Sequence, residues 1–251
     1  MTRDSGDTST RQDWEDLGRI DAEWAILSEP DKRLGGWDAD DFFASGRTEV
    51  GAVIDRAVER GLLLRRERAL DVGCGIGRLS VALADHFDEV VGVDISNEML
   101  ARARRLHQER AGLRFVQAPA DDLGLLDEAT FDLVLTRLVL QHLPSKTAIL
   151  RALDEMLRVL RPGGLLVAQT TSELPLRHRV QPRPRLYRAL RTAGVPADLL
   201  YRRLHLQPVR MTVAPAQAVQ QLLRDRGATL HDVEREPKNA GAVWTTYWAT
   251  R

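Results

Sequence analysis

Short apolar runs alternate with helix-spaced apolar positions along most of the chain, and this pattern predicts strands that are followed by helices. The runs that we interpret as strands lie at residues 69–72, 90–94, 113–117, 131–137 and 165–170, with a closing pair at 228–235 and 242–250. Apolar residues three or four positions apart predict helices at 78–83, 97–110, 145–160 and 215–226. Strands that alternate with helices in this way are typical of an α/β sheet.

Two segments lie outside this alternation. Residues 1–12 are polar and are predicted to be a disordered tail, and residues 13–66 form a predicted N-terminal helical cap. Gly46 is expected to interrupt the helices of this cap. Residues 172–213 carry several prolines and helix-spaced leucines, which predict an insertion with two short helices within a main domain at 67–251.

The first strand runs into a turn with Gly73, Gly75 and Gly77 at alternate positions. Glycine permits unusual backbone angles and close approach of a ligand, and the helix that follows offers unpaired N–H groups. A dinucleotide fingerprint would place its third glycine at Arg78, so a nicotinamide oxidoreductase is disfavoured. Asp71 precedes the turn, where its carboxylate would repel a pyrophosphate but favour a cationic amino group.

Asp94 ends the second strand, where an acid commonly accepts hydrogen bonds from a ribose diol. The alternative interpretation is an ordinary strand-to-helix turn with Asp94 as a helix cap. Together these residues resemble the S-adenosylmethionine (SAM) site of the class I SAM-dependent methyltransferases. The resemblance implies that SAM is the cofactor, S-adenosylhomocysteine (SAH) its product, and the binding residues Asp71, Gly73, Gly75, Gly77, Asp94 and Ile95.

The same resemblance implies the fold. We expect a Rossmann-like α/β domain with a seven-stranded, mostly parallel sheet and helices on both faces. Its last strand would be inserted antiparallel, as the closing strand pair suggests. The chain would add an N-terminal helical extension and a helical lid insertion after strand five.

Residues 118–123 resemble the adenine loop of the family. The resemblance implies that Ala120 and Asp121 contact adenine, with Asp122 as the second candidate acid. The alternative is that this acidic pair only caps a helix.

Residues 131–143 resemble the family segment F-D-x-V followed by L-x-H and an apolar residue. There the backbone just after the strand accepts a hydrogen bond from the SAM amino group, which implies Arg137 or Leu138 in this chain. Gln141 and His142 would then lie near the methyl group that is transferred.

An acceptor hydroxyl would need a base within hydrogen-bond reach. His142 is the first candidate, although a buried histidine that only fixes the loop is the alternative, and His178 is the second. Phe42 and Phe43 either wall the pocket or pack an appended helix. The candidate substrate contacts are Phe42, Phe43, Gln141, Tyr187 and Tyr201.

Composition narrows the class of protein. Charges balance to a formal net charge of +0, so no overall field favours nucleic acid or a membrane surface. Cys74 is the only cysteine, which fits a reducing compartment, and the polar start and lack of a long apolar run favour a cytoplasmic location. The histidines and acids show no metal-ligand spacing, so we expect no metal.

Arginines in the insertion, among them Arg188, would suit an acidic, phosphorylated or carboxylated substrate, but a solvated arginine-rich surface is the favoured interpretation. We therefore expect a monomeric or homodimeric enzyme that methylates a small molecule in specialised metabolism, with oxygen favoured over nitrogen or carbon. A SAM-binding regulatory or assembly protein is the alternative. A nucleic-acid methyltransferase is disfavoured because neither a basic face nor an N-P-P-Y type motif is present.

Overall fold

A computed structural model describes residues 5–62, 65–238 and 241–251. The strands form one seven-stranded sheet in the order β3-β2-β1-β4-β5-β7-β6. Their bounds are β1 Arg68–Val72, β2 Glu89–Asp94, β3 Leu113–Gln117, β4 Phe131–Thr136, β5 Leu160–Glu173, β6 Thr229–Pro237 and β7 Val243–Thr250. Strands β1 to β5 pair in parallel, and β7 runs antiparallel between β5 and β6. The predicted fold class is confirmed.

Helices cover both faces of the sheet, and the strands β1, β4 and β5 between them are buried almost throughout. Their bounds are α1 Ser5–Ile20, α2 Ala22–Ile26, α3 Ala39–Glu59, α4 Arg78–Leu83, α5 Asn97–Leu106, α6 Lys146–Val159, α7 Leu176–Arg179, α8 Pro182–Thr192, α9 Ala197–Arg202 and α10 Ala216–Asp225. Apolar residues of α3 and α4 pack on one face, and those of α6 and α10 pack on the other. Such two-faced burial explains the near-continuous apolar runs of the strands.

Helix α3 runs through Gly46, so the interruption predicted there is wrong. Its N-cap Asp38 accepts hydrogen bonds from two backbone N–H groups of the first turn, as the acids at this point suggested. A Cβ atom on Gly46 would lie 2.3 Å from the carbonyl oxygen of Arg78 in α4. The glycine is therefore a contact point between two helices, where the backbones approach too closely for a side chain.

The ends of the chain and the insertion also differ from the sequence prediction. Helix α1 begins at Ser5, inside the segment predicted to be disordered, and residues 1–4 lie outside the described residues. The insertion after β5 holds three helices, α7 to α9, rather than two. Strand β5 begins five residues before the predicted start because the Pro162-Gly163-Gly164 turn lies within it, where the pairing register with β4 shifts.

Candidate functional site

The glycine turn joins β1 to α4 and forms the floor of a cavity at the carboxyl end of the sheet. Gly73, Gly75 and Gly77 all have positive φ, at 80°, 55° and 89°, which disfavours any residue with a side chain. Added Cβ atoms would lie 2.3 Å from Val139 at Gly73 and 2.5 Å from Ile26 at Gly75. The backbone therefore needs glycine both for its angles and for its close neighbours.

Asp94 lies at the end of β2 beside this turn. Its carboxylate accepts hydrogen bonds from the backbone N–H groups of Gly75 and Ser96, each at 2.9 Å. Burial raises the pKa of Asp94, and these N–H groups oppose that effect. Each carboxylate oxygen has more than one acceptor position, so Asp94 retains the capacity to accept from a diol.

Asp71 is buried at the end of β1, where it accepts a hydrogen bond from Ser80 Oγ at 2.6 Å. Burial raises the pKa of Asp71 to about 7, although Ser80 and the nearby Arg78 favour the ionised form. A cationic group in the cavity would lower this pKa further toward its usual value. Asp71 is thus both an anchor for α4 and a wall of the cavity.

The cavity encloses about 1110 Å³ of empty space, including the part open to solvent. It brings together most of the residues that the sequence predicted to bind a cofactor. Those in its lining are Asp71, Gly73, Gly75, Asp94, Ile95, Ala120, Asp121 and Arg137, together with the candidate base His142. Gly77 is not in the lining, because it faces the ring of His107 at the start of α4.

Of the two candidate acids for adenine, Asp121 and Asp122, only one lines the cavity. Asp121 lines the cavity and forms an ion pair with Arg151 at 2.6 Å, and Arg151 lines the cavity as well. Asp122 is exposed, and its side chain accepts from the backbone N–H of Gly124. Asp121 is therefore the acid of this pair that faces the cavity.

Glu49 in α3 connects two cavity residues that the sequence did not relate. Its carboxylate forms ion pairs with Arg78 and Arg137, each at 2.7 Å. Burial opposes ionisation of Glu49, but the two guanidinium groups outweigh it, and its pKa is lowered. The sequence marked Arg78, because it stands in place of a third glycine, but it gave no indication that Glu49 is the partner of Arg78.

His142 follows β4 and also lines the cavity. Its Nδ1 lies 2.8 Å from the backbone oxygen of Arg210, and burial lowers its pKa. In the neutral ring Nδ1–H donates to that carbonyl, which leaves the lone pair on Nε2. The ring of Trp14 meets His142 edge-on, with centroids 5.4 Å apart.

The other predicted catalytic and aromatic residues lie outside the cavity lining. His178 is exposed on α7. Phe42 is fully buried and meets the rings of Trp37 and Phe43 edge-on, so these phenylalanines pack α3 rather than wall the cavity.

Among the predicted substrate contacts in and near the insertion, the side chains of Tyr187 and Tyr201 have structural partners, whereas the side-chain Oε1 of Gln141 has no hydrogen-bond partner among the described residues. Gln141 is buried, and its backbone oxygen accepts from Thr212. Tyr187 is buried in a small core of the insertion. The hydroxyl of Tyr201 donates to Asp21 at 2.7 Å. Burial raises the pKa of both tyrosines, which disfavours either as a base near neutral pH.

Helix α1 supplies residues that sequence reasoning missed. Trp14 and Thr10 line the cavity, and Glu15 accepts hydrogen bonds from Ser96 Oγ and from the backbone N–H groups of Asn97 and Glu98, all at 2.9 Å. The amphipathic spacing around Trp14 predicted a buried face but did not indicate what that face covers. The helix closes one side of the cavity.

The described residues hold neither a metal-binding cluster nor a membrane-spanning helix. Within the described residues, no group of three or more histidine, cysteine or acidic side chains is arranged to hold a metal ion. In the same part of the chain, no helix has the length and apolar character to span a membrane.

Known proteins are similar to this chain in sequence, and solved structures are similar to it in fold. A family described as "Methyltransferase domain" matches residues 70–168. A malonyl-[acyl-carrier protein] O-methyltransferase of Enterobacter lignolyticus is 34% identical over 177 residues, which cover 67% of this chain and 68% of that protein. A ubiquinone biosynthesis O-methyltransferase of Psychrobacter arcticus is 35% identical over 130 residues, or 50% of this chain and 48% of that protein.

The chain thus spans about half the length of the ubiquinone relatives that it matches. Among solved structures, the SAM-bound magnesium protoporphyrin IX methyltransferase of Synechocystis PCC 6803 superposes with a TM-score of 0.63 at 18% identity. That superposition covers 100% of this chain and 99% of the other. At 18% sequence identity, this similarity shows that the two proteins share a fold.

Proposed function

The chain belongs to the family of class I SAM-dependent methyltransferases, and we propose that it binds SAM and methylates an oxygen atom of a small-molecule acceptor. We further propose that this acceptor belongs to specialised metabolism, as expected from the sequence. Both relatives described above are named O-methyltransferases, which supports oxygen as the methylated atom.

The residues of the cavity suit SAM chemically. Asp94 has acceptor positions for the ribose diol, and the glycine turn allows backbone contact with the ligand. Ala120 and Asp121 lie where the adenine loop is expected, and Asp71 supplies a carboxylate for the ligand's cationic amino group. Bound SAM supplies an electrophilic methyl carbon on its sulfonium.

One observation carries the proposal: Asp94 and His142 border the same cavity. The acid proposed to bind the cofactor, Asp94, and the neutral imidazole of His142 therefore line the same cavity. Because its pKa is lowered, His142 is uncharged near neutral pH, and Nε2 can accept a proton from an acceptor hydroxyl. The hydrogen bond from Nδ1 to Arg210 fixes the tautomer that makes Nε2 the acceptor.

The remaining chain residues orient and enclose the reactants. Alignment of two reactants can supply a large part of the rate enhancement of a displacement reaction. Trp14 and Ile26 close the cavity from the N-terminal helices, which limits access of water. The balanced net charge favours a small molecule over nucleic acid as partner.

The test uses purified protein and methyl-labelled SAM with separate small-molecule, RNA and protein extracts. We expect label in the small-molecule pool and none with the Asp94→Ala variant. Label confined to RNA or protein would contradict the choice of acceptor. Binding of SAM without transfer to any pool would contradict the enzymatic proposal and favour a regulatory or assembly role.

A further inference from the structure

A second, smaller cavity lies on the other side of His142 from the main one. It is a narrow cleft of about 240 Å³, a figure that counts the part open to solvent, and it lies between α1, α8 and the segment that follows α9. Thr10, Trp14 and His142 line both cavities. The candidate base thus stands at the boundary between the cofactor cavity and a neighbouring space.

The second cavity carries an excess of positive charge. Its charged lining residues are Asp13, Arg188 and Arg210. Arg188 donates through Nε to Asp13 at 3.0 Å, and this pair is mutually neutralised. Asp16, which also acts on Asp13, is held by Arg191 at 2.9 Å. One guanidinium, that of Arg210, remains.

Arg210 forms no ion pair with any of the residues that the structure describes. Burial lowers its pKa, and repulsion from Arg188 acts in the same direction; attraction to Asp13, whose carboxylate is already paired with Arg188, opposes these effects only in part. Arginine stays protonated in proteins, so the partly buried cation is left without a full counter-charge. An anion bound in this cavity would supply the negative charge that Arg210 lacks.

Arg210 also touches the candidate base through its backbone. Its carbonyl oxygen accepts the hydrogen bond from His142 Nδ1 at 2.8 Å. The residue that offers an unpaired guanidinium therefore also fixes the orientation of the imidazole. A molecule bound by the side chain of Arg210 would have its neighbouring atoms close to His142.

We propose that the second cavity binds an anionic group of the methyl acceptor, a carboxylate or a phosphate, through the guanidinium groups of Arg210 and Arg188. This assignment rests on the proposed function, because it places the reacting oxygen of that acceptor beside His142. Asp13 occupies part of the anion's place when the cavity is empty, since its carboxylate is the partner of Arg188. Guanidinium groups bind both anions well through paired hydrogen bonds.

Binding of probe anions tests the proposal directly. Malonate and inorganic phosphate are titrated calorimetrically into the protein saturated with SAH, with neutral dimethyl malonate as the matched control. We expect one of the two anions to bind and the neutral ester not to bind, and the preferred anion separates a carboxylate from a phosphate acceptor. Equal binding of ester and anion, or no anion binding, would overturn the proposal.

Three variants locate the site. Arg210→Gln should weaken anion binding at least about tenfold while keeping the backbone carbonyl that holds His142. Arg202→Gln, whose guanidinium pairs with the surface residue Asp198, should leave it unchanged. Asp13→Asn removes the competing carboxylate and should tighten anion binding, an effect opposite in sign to that of Arg210→Gln. Equal affinities in the wild type, Arg210→Gln and Asp13→Asn would mean that this cluster only joins α1 to the insertion.

Binding of SAH and binding of anions are separate measurements, so a protein that fails at the second cavity is distinguished from one that does not bind the cofactor. SAH binding is measured first in the same series, and its absence would contradict the proposed function, while the anion titration can still be made without SAH. In a second arm, a small-molecule extract is divided on an anion exchanger before the labelling reaction. Acceptor activity in the retained fraction supports an anionic acceptor, and activity only in the unretained fraction would overturn it.

Discussion

Ser96 donates its hydroxyl hydrogen to Glu15 Oε2 at 2.9 Å, and its backbone N–H to Asp94 Oδ1 at the same distance. A residue of the first helix is thereby joined, through one serine, to the acid that we assign to the ribose. Since Glu15 also accepts from the first N–H groups of α5, it acts as an additional cap supplied from a distant part of the chain.

Replacing Glu15 by alanine removes this cap. We expect a loss of about 1 kcal/mol in the free energy of unfolding, typical of a lost helix cap, and a several-fold weaker affinity for SAM. Urea unfolding and calorimetry measure the two effects. Glu109→Ala, an exposed acid beyond the end of α5, is the control. Unchanged SAM affinity in Glu15→Ala would show that α1 does not support the cofactor cavity.

Asp94→Ala should weaken SAM binding by more than about 100-fold. Two hydrogen bonds to a charged group are lost, at about 1.5 kcal/mol or more each. Circular dichroism should show a folded protein. Asp127→Ala, on the exposed turn before β4, should bind SAM as the wild type does. If Asp94→Ala and Asp127→Ala bound SAM equally, Asp94 would not be the ribose acid.

His142→Gln should bind SAM normally but transfer methyl at least about 100-fold more slowly if the acceptor is a hydroxyl, a typical effect of losing a general base. His178→Gln should change the rate little, because His178 lies outside the cavity. Labelled transfer with each purified variant gives the comparison. Equal rates for the wild type and His142→Gln would remove His142 as the base.

The pH dependence follows from the same residue. Burial lowers the pKa of His142 below its ordinary value of 6.5, so the neutral base predominates at neutral pH. With saturating SAM, whose cationic group favours ionised Asp71, the rate should be level above about 6.5 and fall as the pH drops through the lowered pKa of His142. Because the unfolded chain binds this proton more readily, acid also lowers the free energy of unfolding. A rate that rises on acidification through this range would contradict the assignment.

Two glycines of α3 form a matched pair for a stability measurement. Gly46→Ala should reduce the free energy of unfolding by about 2 kcal/mol or more, because its Cβ would lie 2.3 Å from Arg78 O. Gly51→Ala, with no atom within 4 Å of the added Cβ, should stabilise the protein by up to about 1 kcal/mol. Urea unfolding of both variants measures the difference. Equal effects would mean that α3 and α4 are not in contact at Gly46.

Local features of the sequence predicted the parts of the site that local chain geometry determines. The turn at Gly73, Gly75 and Gly77 needs positive φ at each glycine, and Asp94 follows it at the end of the neighbouring strand, so motif and structure coincide. Ser96 and Ser145 cap α5 and α6 as helix-start signals suggest.

Contacts between distant segments were not predictable in this way. Glu15 reaches α5 across 81 positions, and Glu49 reaches Arg137 across 88, with no local pattern that marks either pair. Gly46 resembled a helix break because its partner, Arg78 O, belongs to another helix. Tyr187 and Tyr201 suggested substrate contacts, but burial within the fold gives them structural partners.

The place of β7 in the sheet has a consequence for biosynthesis. Strand β5 is complete at Glu173, but its antiparallel partner begins at Val243, after the insertion, α10 and β6 have been made. One edge of β5 therefore stays unpaired while the ribosome synthesises residues 174–242. Unpaired strand edges promote aggregation. Strands β6 and β7 must therefore join the sheet late, on the parallel strands β1 to β5 that are already available.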